Sequence, residues 1–334
     1  MTLTVDLGER SYDVVVERGC LQRVGELLNL DRKVLIVTDT GIPLAYPEAV
    51  ARSAKEACVV CFAAGEKSKN VKTWMTVLDR LLEYNFTRSD CVVAVGGGVV
   101  GDMAGFAAAS YLRGIDFYNI PTTLLSQLDS SVGGKVGVDY KGYKNMVGAF
   151  YQPKKVIIDP DVLSTLDPRQ LRAGAAEAVK IALTSDKELF ELFESGKAMD
   201  QIETVIAHAL AAKADVVCRD ETEGGLRRVL NFGHTVGHAV ESAGKYSLLH
   251  GECVALGMIP MAAPGVRARL LAVLENLGLP TRIPMDKEKI LSAVAFDKKR
   301  RGWDITVVRC EEVGSYRFET LPLEAFVREL REVL

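Results

Sequence analysis

Positive charge is not in excess in this chain. Lysine and arginine number 41 against 44 aspartates and glutamates, a formal net charge of −3, so no global basic field exists to hold nucleic acid or an anionic membrane. No uncharged apolar run approaches the roughly 18 residues that a membrane span needs. The opening Met1-Thr2-Leu3-Thr4-Val5-Asp6 has neither a basic nor an apolar leader region, so no secretory signal is expected. Cysteine is sparse: seven residues scattered over 334 fit a reducing compartment rather than a disulfide framework. No internal repeat, low-complexity tract or long linker occurs. What is present is ordinary: 48% hydrophobic, 25% charged and 7% aromatic residues exclude a disordered, collagen-like or fibrous chain. A chain this long buries most of its unfolded surface without staples. The expectation is a cytoplasmic globular protein of two domains.

The chain changes character near its middle. Short apolar runs recur at 34–37, 58–62, 91–95 and 117–120, each followed by a turn or a helical pattern. Val71, Trp74, Met75, Leu78, Leu81 and Leu82 have the i, i+3, i+4, i+7 spacing of an amphipathic helix. Such alternation implies parallel strands with helices on both faces, and ligands then sit beyond the strands' carboxyl ends. After Pro160 the pattern turns helical, over 171–183, 202–217, 235–243 and 266–277, before a short β-like pair at 304–309 and 316–319 and a closing helix from Leu323. The fold class read from this is α/β, with a Rossmann-like domain at 1–159 and a mainly α-helical domain at 160–334. A cleft between the two is the default ligand site.

Gly96, Gly98 and Gly101 satisfy G-x-G-x-x-G directly after a strand, where glycines let the backbone approach a pyrophosphate at a helix N-terminus. The acid usual at the end of the following strand is missing, since Asn119-Ile120-Pro121 stands there. A tight strand–helix turn explains the glycines equally well. Thr122 and Thr123 follow the next strand and read as helix-capping hydroxyls or ligand contacts. His234 and His238 stand at i, i+4, and His250 follows one loop later. Three imidazoles so placed suit Zn²⁺, with Glu177 as the attractive carboxylate donor. Glu177 lies in an Ala-rich helix, where a buried acid needs a cation or metal. Cations also occur in unusual places. Lys213 lies on the apolar stripe Ile202, Val205, Ile206, Ala209, Val216, Lys180 is one turn from Glu177, Lys135 lies in a Gly-rich segment with Lys144 soon after, Arg227 precedes the histidine cluster, and Lys298 and Lys299 stand near the C-terminus. Each alone could snorkel or pair at the surface, but together they point to a multiply charged anion. The C-x-x-C pair Cys58 and Cys61 falls in an apolar strand and reads as core packing.

Assembled, these segments resemble the 3-dehydroquinate synthase family of sugar phosphate cyclases, over about residues 39–299. The most specific pieces are Gly96-Gly97-Gly98-Val99-Val100-Gly101-Asp102, the run from Pro121 to Lys135, Lys144-Asn145, Ala176-Glu177-Ala178-Val179-Lys180, Asn231-Phe232-Gly233-His234-Thr235-Val236-Gly237-His238 and His250-Gly251-Glu252. The resemblance implies one tightly bound NAD and one divalent metal, zinc or in its place cobalt. It implies Glu177, His234 and His250 as metal ligands, moving His238 to the substrate phosphate. Asp39, Glu66, Lys69, Gly97, Gly98, Asp102, Thr122, Thr123, Asp129, Lys144 and Thr165 match positions around NAD. Lys135, Asn145, Asn231, His238 and one of Lys298 or Lys299 match the phosphate-binding set, and Lys213 and Arg227 the pair that holds the substrate carboxylate. Arg113 matches an arginine that reaches the site of a neighbouring subunit, which implies a homodimer. Asp129, Lys135, Lys180 and His238 are the implied catalytic set.

The substrate so implied is 3-deoxy-D-arabino-heptulosonate 7-phosphate. The metal polarises its carbon-5 hydroxyl, and NAD takes a hydride. The new ketone acidifies the neighbouring carbon, so phosphate leaves; NADH returns the hydride, and ring opening with an aldol step gives 3-dehydroquinate. A phosphate and a carboxylate explain the many cations, which fix the substrate at both ends. The chain departs from the family in one region: about twenty residues separate Gly257-Met258 from Gly278-Leu279-Pro280, so a helix is expected to be trimmed or rearranged. Thr165-Leu166-Asp167-Pro168 also replaces the family's Thr-Leu-Pro. Cyclases making deoxy-scyllo-inosose or valiolone are rivals, but their substrates lack a carboxylate for Lys213 and Arg227. A metal-dependent polyol dehydrogenase is a second rival, and it would not need the phosphate-binding cations.

Overall fold

The computed structural model describes residues 1–244, 247–299 and 303–334, and the side chains among them except those of 296–299. The chain divides into two compact units, Met1–Asp167 and Pro168–Leu334. The turn Pro160–Thr165, which follows the break expected after Asp159, belongs to the first.

Nine strands build the first unit: β1 (Thr2–Val5), β2 (Tyr12–Val16), β3 (Lys33–Asp39), β4 (Glu56–Phe62), β5 (Cys91–Gly96), β6 (Asp116–Pro121), β7 (Lys135–Tyr140), β8 (Tyr143–Phe150) and β9 (Lys155–Ile158). Seven form one sheet in the order β1-β2-β9-β6-β5-β3-β4. Every pairing in it is parallel except β1 with β2. Every residue of β5 is buried, as expected of a central parallel strand covered on both faces. Side chains alternate between the faces. Leu35, Val37, Val92 and Ala94 pack with Val100, Met103 and Ala104 of the helix Gly98–Ser110 on one side. Val34, Ile36, Cys91, Val93 and Val95 pack with Val24, Ala49 and Val50 on the other. The same alternation separates the C-x-x-C pair. Cys58 is buried, but Cys61 points outward from β4, the sheet's edge strand, and is exposed, so core packing describes only the first. All seven cysteines are free thiols. Strands β7 and β8 form a separate antiparallel hairpin.

The second unit is helical: Pro168–Ser185, Lys187–Glu194, Ile202–Arg219, His234–Ala243, His250–Met258, Pro264–Asn276, Lys287–Lys299 and Leu323–Val333, with one antiparallel pair, β10 (Asp304–Arg309) and β11 (Arg317–Pro322). Three of these helices meet through glycine. A Cβ added at Gly251 would stand 1.8 Å from the Ala173 carbonyl oxygen, and one at Gly257 would stand 2.0 Å from that of Gly233. Only glycine permits backbones this close. The shortened region after Met258 is a single turn, Ile259–Met261, leading into the helix that starts at Pro264. It is tied to the end of β10 by Ala263 N–H to Cys310 O at 2.9 Å and Cys310 N–H to Met261 O at 3.2 Å. No described helix is long and apolar enough to cross a membrane.

Candidate functional site

Glycine contacts decide where the second unit's ionisable groups converge. Gly233 precedes His234, Gly251 follows His250, and Ala173 stands one turn before Glu177, so the same close approaches gather all three side chains. Glu177 is fully buried. Its Oε2 lies 2.5 Å from Lys180 Nζ, while its Oε1 faces His250 Nε2 at 3.3 Å and His234 Nε2 at 3.8 Å. Two donors on a tetrahedral cation, with bonds of about 2.0–2.2 Å, stand about 3.4 Å apart, so both separations from Glu177 Oε1 are near those of ligands on a Zn²⁺-type ion. His234 Nδ1 lies 3.2 Å from the Phe232 carbonyl oxygen, which can only accept. Nδ1 therefore carries the proton and the Nε2 lone pair is open toward Glu177. One ring nitrogen from each of His234, His238 and His250 also lies within 4.8 Å of the other two, and His238 is the exposed member.

Burial pushes His234 down to about 3 against the pull of Glu177. Burial acts the same way on His250, but hydrogen bonding to Glu177 and Glu241 outweighs it and pushes that imidazole up to about 9. Burial would raise Glu177; Lys180 and His234 prevail and hold its carboxyl well below the usual range. Buried Lys213 and Arg227 belong to the same unit, and the turn carrying Arg227 packs against both the Glu177 helix and the Lys213 helix. Asn231 donates to Glu223 Oε1 at 2.8 Å.

In the first unit the carboxyl ends of β3, β5 and β6 collect Asp39, Gly97, Gly98, Thr122 and Thr123. Asp39 ends β3, the strand paired with β5, so an acid does stand at a neighbouring strand end. Its Oδ1 accepts the Gly41 N–H at 2.8 Å, and burial raises its carboxyl. A Cβ on Gly97 would stand 3.0 Å from Thr123 Cγ2, and one on Gly98 3.0 Å from Ser130 Oγ. The Thr123 hydroxyl caps the following turn through the Ser126 N–H at 3.2 Å. The buried Thr122, Thr38, Ser130 and Ser131 hydroxyls have no hydrogen-bond partner among the described residues. Glycine notches and orphaned hydroxyls at the strand ends fit a dinucleotide cradle. Buried Lys69 reaches Asp102 Oδ2 and Asn145 Oδ1, each at 2.5 Å. Burial would lower it, but Asp102 and Glu66 outweigh that and raise it.

Asn145 is in the left-handed region with φ 52°, held by its N–H to Asp139 Oδ1 at 2.8 Å. Lys144 pairs with Glu66 at 3.3 Å. Thr165 Oγ1 bonds the Tyr46 hydroxyl at 2.9 Å. Asp129 lies half-buried in the turn Ser126–Ser130, and Lys135 opens β7 exposed. Leu112 and Arg113 are exposed and both left-handed, φ 50° and 68°. The side chains of Lys298 and Lys299 lie outside the described residues. Sequence reasoning missed Glu241, whose Oε2 stands 3.6 Å from His250 Nδ1. The signal was available, because His234, His238 and Glu241 are spaced i, i+4, i+7. It also missed Asp139, Asp220 and Glu223, which lie in loops or at a strand end and carry no periodic signal.

Residues 59–173 match the family described as 3-dehydroquinate synthase N-terminal, and 174–300 the one described as 3-dehydroquinate synthase C-terminal. The 3-dehydroquinate synthase of Clostridium acetobutylicum is 41% identical over 354 residues, covering 99% of each chain. That of Nostoc punctiforme is 42% identical over 339 residues, covering 93% of each. The structure of 2-deoxy-scyllo-inosose synthase with carbaglucose-6-phosphate, NAD+ and Co2+ is 28% identical with a TM-score of 0.90, covering 100% of both chains. The 2-epi-5-epi-valiolone synthase of Streptomyces hygroscopicus, with NAD+ and Zn2+ bound, is 31% identical with a TM-score of 0.87, covering 98% of both.

Proposed function

We infer how the residues divide the work from one fact: the chain belongs to the 3-dehydroquinate synthase family. Its activity is the conversion of 3-deoxy-D-arabino-heptulosonate 7-phosphate to 3-dehydroquinate and phosphate, with NAD and a divalent metal, zinc or cobalt, as cofactors. When bound, the metal would supply polarisation of the carbon-5 hydroxyl and NAD a reversible hydride acceptor, chemistry that allows elimination, ring opening and aldol closure without net redox change.

The observation that carries the site assignment is the buried Glu177 carboxylate facing His234 and His250 at 3.8 and 3.3 Å. These three hold the metal. Lys180 occupies the second Glu177 oxygen and so aims the first at the imidazoles. His238, the exposed third imidazole, faces the substrate phosphate with Lys135, Asn145, Asn231 and one of Lys298 or Lys299. Lys213 and Arg227, both buried, take the substrate carboxylate, and the turn carrying Arg227 packs against the helix carrying Lys213. Asp39, Gly97, Gly98, Asp102, Thr122 and Thr123 form the NAD cradle, bordered by Glu66, Lys69, Asp129, Lys144 and Thr165. Asp129 and Lys180 also face the reacting sugar. The first unit thus supplies the NAD residues together with Asp129, Lys135 and Asn145 for the substrate, and the second supplies the metal ligands and the other substrate residues. The protein works in the cytoplasm as a homodimer, in which exposed, left-handed Arg113 is offered to the other copy's site.

The test is phosphate release from the heptulosonate phosphate with catalytic NAD and Zn²⁺, with and without chelator. Chelator-sensitive release with 3-dehydroquinate formed and no net NADH is the expected result. Release from glucose 6-phosphate or sedoheptulose 7-phosphate instead would overturn the carboxylate assignment to Lys213 and Arg227.

A further inference from the structure

The helix carrying Lys213 ends at Arg219, and the chain returns to Arg227 through a loop that begins with Asp220. The two Asp220 carboxylate oxygens accept three backbone N–H groups of that loop. Oδ1 takes Gly224 at 2.7 Å, and Oδ2 takes Gly225 and Arg227, each at 2.8 Å. The Glu221 carbonyl accepts from Arg227 Nη1 at 2.5 Å. The arginine is therefore gripped twice, by its own amide and by its guanidinium, and is only 2% exposed. Hydrogen bonds to an ionised acceptor are shorter and roughly twice as strong as neutral ones. A single carboxylate closing three of them fixes the path of the loop, and that path sets where the Glu221 carbonyl meets the guanidinium.

We propose that Asp220 is a positioning residue for the reaction: it touches no substrate atom, but through the loop 220–227 it holds the Arg227 guanidinium in the pose that receives the substrate carboxylate. The proposal rests on the reading of Arg227 given above. It extends the functional set by a residue whose loop position and polar neighbours mark it as surface. Asparagine at this position keeps one acceptor oxygen and turns an N–H₂ toward at least one of the three N–H groups, so the loop would lose part of its grip, and the charge assistance of the rest, without losing a side chain of similar size.

The experiment is a kinetic cycle on the NAD- and zinc-loaded enzyme with Asp220→Asn, Arg227→Gln and the double variant. KM for the heptulosonate phosphate should rise about tenfold in Asp220→Asn with kcat within about threefold, and the double variant should be no worse than Arg227→Gln alone. Bound zinc should be unchanged. A normal KM in Asp220→Asn beside a raised KM in Arg227→Gln, or losses that add in the double variant, overturns the positioning role and leaves the reading of Arg227 standing. A normal KM in Arg227→Gln overturns that reading itself. Should Asp220→Asn fail to fold, amide exchange in the unaltered protein decides. Gly224, Gly225 and Arg227 should exchange at least tenfold more slowly than unbonded loop amides, and exchange at the open-loop rate sinks the proposal.

Discussion

Glu177 and Lys180 form an ion pair in which both side chains are at most 2% exposed. Taking two charges out of water is repaid only by close geometry, and removing one partner leaves the other buried without compensation. Glu177→Gln should therefore do two separable things. It should abolish tight metal binding, and it should destabilise the metal-free protein by about 3–5 kcal/mol, the usual result of orphaning a buried charge. Adding Lys180→Met should return most of that stability and none of the activity. Urea unfolding of the three proteins in chelator checks this, and a single variant as stable as the parent would contradict it. Glu177 was legible in the sequence because an acid in an alanine-rich helix is an anomaly with few physical resolutions. Lys213 was legible for the same reason, as a cation on an apolar stripe, and both are buried. Asp220 was not, because an acid in a polar loop is ordinary until its three N–H partners are seen.

Elements became readable where periodicity was strong and opaque where packing alone decides. The buried runs of β3 and β5 and the stripe of the helix Val71–Glu83 announced themselves. The hairpin of β7 and β8 did not. Most of β8 is exposed or half-exposed, so it has no apolar alternation, and its turn depends on Lys141 and Gly142 in left-handed conformation. The glycines that join the helices of the metal site were quoted as motif letters, yet their role follows only from which backbones they let touch. Gly251 stands against Ala173 O and Gly257 against Gly233 O, with added Cβ atoms at 1.8 and 2.0 Å. Contacts that short force the helices apart, and with them His250, His234 and Glu177. Gly251→Ala or Gly257→Ala should lower zinc affinity at least tenfold and destabilise the fold by about 1–3 kcal/mol, the cost of overpacking. Gly265→Ala is the matched control. It lies in the helix Pro264–Asn276 with nothing within 4 Å of its added Cβ, so it should leave zinc affinity alone and stabilise by a few tenths to 1 kcal/mol. Zinc titration and melting of the three variants distinguish a packing effect at the site from a general intolerance of alanine.

The whole chain is two compact units, each with its own core. The alignment with the Clostridium acetobutylicum relative spans 354 residues against 334 here, so that relative carries residues this chain lacks. The shortened stretch after Met258 is bonded to the end of β10 and includes none of the residues assigned to metal, NAD or substrate. A ligand that binds only the folded form stabilises what it binds by RT ln(1 + [L]/Kd), about 2.7 kcal/mol at a hundred times Kd. For a unit of this size that is a shift of about 5–10 °C in melting temperature. Zinc contacts only second-unit residues in the proposed assignment, and the NAD cradle only first-unit residues. Calorimetry at fixed protein concentration should therefore show two transitions in the apo protein, one raised by Zn²⁺ alone and the other by NAD alone. Each should keep its place when the other ligand is added. A chelator should return the zinc-sensitive transition to its apo position without moving the NAD-sensitive one. A single transition that either ligand moves by the full amount would mean that the two cores melt as one cooperative body. A zinc effect confined to the NAD-sensitive transition would place the metal outside Glu177, His234 and His250.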